Sequence, residues 1–334
     1  MGRSERPPGS ASRDSRVLDW LLEVDQPFIR RAALVDLLDR KPSDPEVREA
    51  HAAIPRKGWG AELLRSLHPT GLWEAREPTT LRGYVDFLYQ PKYLSSNWKA
   101  LVLADLGLTS AHPKVERLAE QFFKYKLQLS SPFNYFHEEV CVAGNTARIL
   151  TAFGSGDDRR VRMLFDWLVD DQRADGGWNC SSDSPGTLDG WEALAAFAAL
   201  PRPKRSARID RSIERGAEFY LKRGLYREGK AYPPWLRFHY PHHYYYDVLL
   251  GLDLLTALGY GGDRRLGPAL RLLREKQRPD GRWLLDRSHP DVEGPAAKDY
   301  TKTAKPLTLE APGKASKWIT WQALRVLKRV DEDG

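Results

Sequence analysis

Acids, thiols, imidazoles and indoles collect at five points of this 334-residue sequence, each at the start of an apolar segment. They read Asn97-Trp98; His137-Glu138-Glu139 ahead of Cys141; Asp189-Gly190-Trp191; His242-His243 through Tyr246-Asp247; and Trp318 with Trp321. Carboxylates and imidazoles brought to one place can move protons, which makes Asp189, Glu139, His243 and Asp247 the candidate catalytic groups. Aromatic faces stabilise a cation or stack on a sugar, which makes Trp98, Trp191, Tyr246, Trp318 and Trp321 the candidate ligand-binding groups. Cys141, Cys180 and His242 or His243, with Asp189 or Asp247, supply the thiols, imidazole and carboxylate that zinc takes, although no local Cys-x-x-Cys spacing accompanies them. Each residue also has an ordinary role open to it. An acid at a helix start caps that helix, and a lone cysteine on an apolar helix fills space. The convergence of five such starts is what suggests a lined pocket.

These starts have to be positioned by helices. From about residue 56, segments with one charged face alternate with segments that are apolar nearly all round. The charged set is Pro113–Leu129, Arg159–Gln172, Ile209–Lys222 and Arg265–Gln277; the apolar set is Asn97–Leu106, Cys141–Phe153, Gly190–Leu200, Tyr244–Leu258 and Trp318–Leu327. A helix with no polar face must be enclosed. Period-two alternation is rare, and Ala and Leu outweigh Val and Ile, which excludes an extensive sheet.

Two stretches share one template, Gln-x-x-x-Gly-x-Trp: Gln172 to Trp178 and Gln277 to Trp283. A degraded copy runs from His68 to Trp73, and the three tryptophans stand 105 positions apart. A fixed long period signals repeated architecture. The simplest body that encloses the apolar helices is all-α: an α/α toroid of five to six helical hairpins, with an inner and an outer ring. The expected divisions are a disordered tail over 1–15, an N-terminal helical cap over 16–55 and the toroid over 56–330, the cap and toroid forming one domain because the helices bury one another's inner faces.

The formal charge of +7 comes from 52 basic and 45 acidic residues spread along the chain, which argues against a nucleic-acid partner. No apolar run reaches the ~18 residues of a membrane span. The polar first 15 residues lack the apolar core of a signal peptide, and two cysteines make no disulfide framework, so a cytoplasmic location is expected. The segment 286–316, with Lys298, Lys302, Lys305 and Lys314, reads as a long polar loop, either a lid or simply solvated. The stretch from Tyr232 to Tyr246 reads as an aromatic loop shaped by Pro233, Pro234 and Pro241.

The Gln-x-x-x-Gly-x-Trp copies resemble the QW motif of triterpene cyclases, within the α/α toroid superfamily of terpenoid cyclases and protein prenyltransferase β subunits. The resemblance covers roughly residues 56 to 330 and includes Cys141-Val-Ala-Gly-Asn145 and Asp175-Gly-Gly-Trp-Asn-Cys180, which resemble squalene-cyclase-like and prenyltransferase-like bacterial proteins. It implies a hydrophobic isoprenoid ligand in a central cavity and a scaffolding role for Gln172, Trp178, Gln277 and Trp283. The chain departs from the family's chemistry. It has no Asp-x-Asp-Asp string for protonating squalene and no Asp-Asp-x-x-Asp for magnesium diphosphate. Where a prenyltransferase holds zinc with Asp and then Cys, Asp189 is followed by Trp191. Two further functions stay open: a non-catalytic toroid that binds a lipid or a protein partner, and a carbohydrate-active (α/α)-barrel pairing Glu138 or Glu139 with Asp189 or Asp247.

Overall fold

Apolar patterning at helical period dominates the sequence, and helices carry nearly all its regular structure. The computed structural model of the chain describes residues 9–80, 83, 87–89, 94–127, 139–181, 184–227, 232–243, 245–287 and 307–333. Thirteen α-helices lie among the described residues: α1 (Gly9–Leu21), α2 (Pro27–Ala32), α3 (Pro45–Ala53), α4 (Gly58–Ser66), α5 (Ser96–Asp105), α6 (Pro113–Tyr125), α7 (Val140–Leu150), α8 (Arg159–Asp170), α9 (Glu192–Ala199), α10 (Ala207–Lys222), α11 (Val248–Ala257), α12 (Gly267–Glu275) and α13 (Lys317–Asp333). Extended pairing among them is confined to isolated bridges. Helix α1 begins at Gly9, inside the stretch expected to be a tail, and α2 runs on through a π-helical turn at Ala33–Leu37.

The helices sort into two classes by burial. Helices α5, α7, α9 and α11 are buried on nearly every side, whereas α8, α10 and α12 bury one stripe, such as Val161, Leu164, Phe165 and Leu168 of α8. The first class packs in sequence, α5 on α7, α7 on α9, α9 on α11 and α11 on α13; α13 then packs against α2. Helix α8 lies outside α7 and α9, α10 outside α9, and α12 outside α11. This is the two-layered α/α toroid, and α2 joins its inner circuit as the sixth member. Polar contacts fasten the closure. Buried Lys317 reaches Glu23 at 2.7 Å and Asp25 at 2.5 Å, and the Trp321 indole N–H donates to Asp36 Oδ2 at 2.9 Å.

The repeated template builds one joint twice. Gln172 Nε2 donates to the Gly176 carbonyl at 2.8 Å, and Gln277 Nε2 donates to the Gly281 carbonyl at 3.0 Å. Each glycine turns with φ near 90° (92° and 87°), a region that L side chains rarely enter. Trp178 and Trp283 are wholly buried, and each indole N–H donates at 2.8 Å to a carbonyl ten residues upstream, Leu168 or Leu273. The upstream copy has drifted: half-buried Trp73 donates to the Ser66 hydroxyl instead.

Two inner helices take their N-terminal caps from distant acids. Glu74 accepts from the Ser96 N–H of α5, and Glu310 accepts from the Lys317 N–H of α13, both at 2.7 Å. Either carboxylate meets backbone donors that would otherwise go unpaired. Of the long polar loop, 288–306 with Lys298, Lys302 and Lys305 lies outside the described residues, as do His137, Glu138 and Tyr244. Among the described residues, no helix is long and apolar enough to cross a membrane.

Candidate metal centre

Inner helices α7 and α9 touch where Gly144 of α7 has no side chain to hold Glu192 of α9 away. That contact brings two helix starts together. Glu139 occupies the N-cap position of α7 without using its side chain as a cap, Cys141 lies in the first turn of α7, and Glu192 opens α9. The repeated joint supplies the remaining group, because Cys180 follows two residues after the anchored Trp178.

The ligand atoms of Glu139, Cys141 and Cys180 all lie within 4.8 Å of one another. The Cys141 thiol is 3.5 Å from Glu139 Oε2, and the Tyr89 hydroxyl is 3.3 Å from the same sulfur. Cys141 is buried, while Glu139 and Cys180 are half-buried, which leaves a route from solvent. Glu192 is wholly buried, and neither of its carboxyl oxygens has a hydrogen-bond partner among the described residues.

The electrostatics are those of acids crowded together. The hydrogen bond shared with Cys180 raises the Cys141 thiol well above its ordinary value, and burial, the Cys180 charge and the nearby Glu192 carboxyl add to the rise. Burial pushes Glu192 well above the usual carboxylate range, with Cys180 and Asp189 adding to it and Arg148 opposing. Tyr89 is raised in the same way, by burial and then by Cys141. Each group resists ionising because its neighbours are acids and water is excluded. A divalent cation among them reverses that balance, since metal binding favours the deprotonated thiolate and carboxylate. Zinc bonds of about 2.3 Å to sulfur and about 2.0–2.2 Å to oxygen place neighbouring ligands roughly 3.5 Å apart in a tetrahedron. The separation of Cys141 and Glu139 matches this.

The other residues singled out in the sequence go to several places. Cys141 and Cys180 meet as their types suggest, but Glu139 stands beside them where His243 was expected; the His243 ring packs edge-on to Trp98 at 5.6 Å. Asp247 caps α11 through the Leu250 N–H at 2.9 Å and accepts from the His239 N–H at 3.0 Å, and its Oδ2 lies 2.7 Å from His239 Nδ1. It is an anchor for the aromatic loop rather than part of the thiol cluster. Asp189 accepts the Trp235 indole N–H at 3.1 Å while its charge still reaches Glu192.

Tyr246 packs against Tyr220 and Trp235 and donates to the Leu225 carbonyl, so it holds rings of helices together. The Trp98 indole donates to the Tyr89 carbonyl, and Trp191 lies under the Arg148 guanidinium and against His242. Trp318 is stacked on Tyr240 at 3.5 Å and on Phe28 at 5.1 Å; Trp321 is edge-on to both Trp318 and Phe28. The aromatic loop therefore fills much of the ring's middle. Sequence reading missed Glu192, Tyr89 and Arg148. A signal existed for two of them, since each is the sole charge on an otherwise apolar inner helix.

No protein-family model matches the chain, and neither does any curated protein. Among solved structures, the chain is similar to a variant of the type II terpene cyclase MstE from Scytonema in complex with geranylgeranyl dihydroxybenzoate. The two are 15% identical over 82% of this chain and 94% of that one, with a TM-score of 0.28. A superposition so loose carries no argument about this chain.

Proposed function

We propose that this chain is a metal-dependent enzyme on an all-α toroid, with a zinc-class ion held by Glu139, Cys141 and Cys180. The observation that carries this reading is the approach of those three ligand atoms to within 4.8 Å, beside a buried carboxyl with no partner of its own. Three protein ligands leave a position open, the arrangement of catalytic rather than structural zinc. A zinc-class ion supplies Lewis acidity, polarising an oxygen at that position. Glu192, whose carboxyl burial pushes well above the usual carboxylate range, is the group placed to donate a proton. Tyr89 steadies the Cys141 sulfur, and Gly144 fixes the distance between α7 and α9.

The resemblance to terpenoid cyclases implies an isoprenoid in the middle of the ring. One pocket among the described inner helices, of about 200 Å³, is lined largely by ion pairs and aromatic rings, which favours a polar occupant there. The carbohydrate-type pairing of Glu139 with Asp247 has less support, because Asp247 is committed to α11 and His239.

Elemental analysis of protein purified without chelators or affinity metals tests the proposal. One zinc-class ion per chain is expected, with loss of that ion in Cys141→Ser and in Cys180→Ser while helicity is retained. Wild-type protein that neither carries nor takes up zinc, cobalt or iron refutes it.

A further inference from the structure

Apart from the thiols, the middle of the inner ring holds a second arrangement that no step above uses. A cavity of about 200 Å³ lies there, walled by Asp105 of α5, Arg148 of α7, Asp253 of α11, and Gln322 and Arg325 of α13. The charges are paired across helices. Arg148 reaches Asp105 at 3.2 Å, Arg325 reaches Asp253 at 2.5 and 3.0 Å, and Arg329 adds a contact to Asp253 at 3.0 Å. Asp253 is the one charged residue of α11, and Arg148 the one charged residue of α7. These side chains keep 14–27% of their surface exposed, and ion pairs reached by solvent contribute only weakly, so stability of the inner ring accounts for little of their presence. Gln322 donates its Nε2 to Asp253 at 3.2 Å, but its Oε1 has no partner among the described residues, nor has the indole N–H of Trp318, which also lines the cavity.

We propose that this cavity binds a small uncharged polyol, of monosaccharide size, independently of the metal. The two lining guanidiniums, Arg148 and Arg325, face two lining carboxylates, Asp105 and Asp253, so the wall offers no net charge to a charged ligand, and the Arg148 Nε–H, without a partner among the described residues, is one more donor for a neutral hydroxyl. A hydroxyl both donates and accepts. A set of hydroxyls satisfies the Gln322 oxygen and the Trp318 N–H while leaving both ion pairs intact. Leu250 and Leu254 offer apolar surface to the C–H face of such a molecule. The volume equals roughly seven waters at about 30 Å³ each, the scale of a single hydroxylated ring. A polyhydroxylated ring also arrives with its hydroxyls fixed in place, so it loses less freedom on binding than separate waters or a flexible chain.

The test is a titration of metal-free and zinc-supplemented protein with D-glucose, D-galactose and myo-inositol, with glycine betaine and acetate as the zwitterion and the anion. Thermal shift and tryptophan fluorescence are both read, since Trp318 and Trp321 line the cavity. The expected result is saturable binding of at least one polyol in both preparations, weakened at least tenfold by Gln322→Leu and by the cavity-filling Leu254→Phe. Leu254→Phe adds apolar volume beside the cavity, so it keeps the test readable if Gln322→Leu fails to fold. No saturable response to any polyol up to tens of millimolar overturns the proposal and leaves a cavity that holds water. A response confined to betaine or acetate overturns it, as does binding undiminished in Leu254→Phe. Polyol binding in metal-free protein separates this outcome from the fate of the zinc centre.

Discussion

Gly144 and Glu192 are in backbone contact: a Cβ on residue 144 would stand 2.7 Å from the Glu192 carbonyl carbon and oxygen. Neither backbone can yield without shifting a helix. Gly144→Ala is therefore expected to cost about 1–3 kcal/mol by overpacking. It is also expected to weaken zinc binding at least tenfold, because it spreads the two helix starts that carry Cys141 and Glu192. Chemical denaturation and competition with a chromophoric chelator read the two effects. A variant with unchanged zinc affinity removes Gly144 from the account of the site.

The two anchored tryptophans separate scaffold from site. Trp178→Ala and Trp283→Ala should each lose about 3–5 kcal/mol, since both side chains are wholly buried. Only Trp178→Ala should also lose metal, because Cys180 hangs on that joint and nothing comparable follows Trp283. Equal metal content in both variants would contradict the link drawn between the repeat and the cluster.

Metal and pH are coupled through Glu192 and Cys141. The folded-state Glu192 value is raised, so its contribution to stability is full below the unfolded value of about 4.3 and is lost as pH rises toward the folded value. Metal-free protein should lose melting temperature from pH 5 to pH 8, and Glu192→Gln should flatten that slope. Zinc-loaded protein should show the reverse, because thiolate formation favours the metal as pH rises. Identical slopes with and without zinc would show that the raised groups do not face the ion.

The aromatic loop should fail from the acid side. Burial lowers His242, partly opposed by Asp247, so folding favours the neutral ring. That contribution is full above the unfolded value of about 6.5 and is lost as pH falls below it. Asp247 follows at lower pH. Burial alone would raise its carboxyl, but the His239 charge and the bonds from His239 and His242 hold it below the usual range, and that contribution goes as pH falls below about 3.9. His242→Asn should remove the loss of melting temperature between pH 6.5 and 5 and leave the deeper acid transition in place.

The ring was legible in the sequence because its two helix classes differ in kind. The run Glu192–Ala199 has a single polar residue and cannot face water, while Arg159–Asp170 buries one stripe, and that contrast survives any error in helix ends. The tryptophan joint was legible because its three fixed positions each perform a separate task. The site was only half legible. Cys141 and Cys180 were chosen by residue type, but periodicity cannot say that Gly144 lets α9 approach, and that approach is what delivers Glu192. The place of Asp247 was not legible for a related reason: an N-cap acid and a pocket acid look alike in sequence, and the structure has it capping α11 and bonded to His239 eight residues upstream.

The fastening of α13 to the first helices sets a timetable for synthesis. The bond from Trp321 to Asp36 spans 285 positions, and among the described residues Phe28 stacks on Trp318 and meets Trp321 edge-on. At roughly 5–20 residues per second, a ribosome delivers that partner about 15–60 s after α2 emerges. Through that interval the growing chain is an open arc whose leading edge, the face of α2 that α13 covers, is bare while α2 rests on α3. The arc becomes a ring when α13 emerges, so a ribosome that stalls just before α13 leaves the preceding hairpins built and that edge still bare.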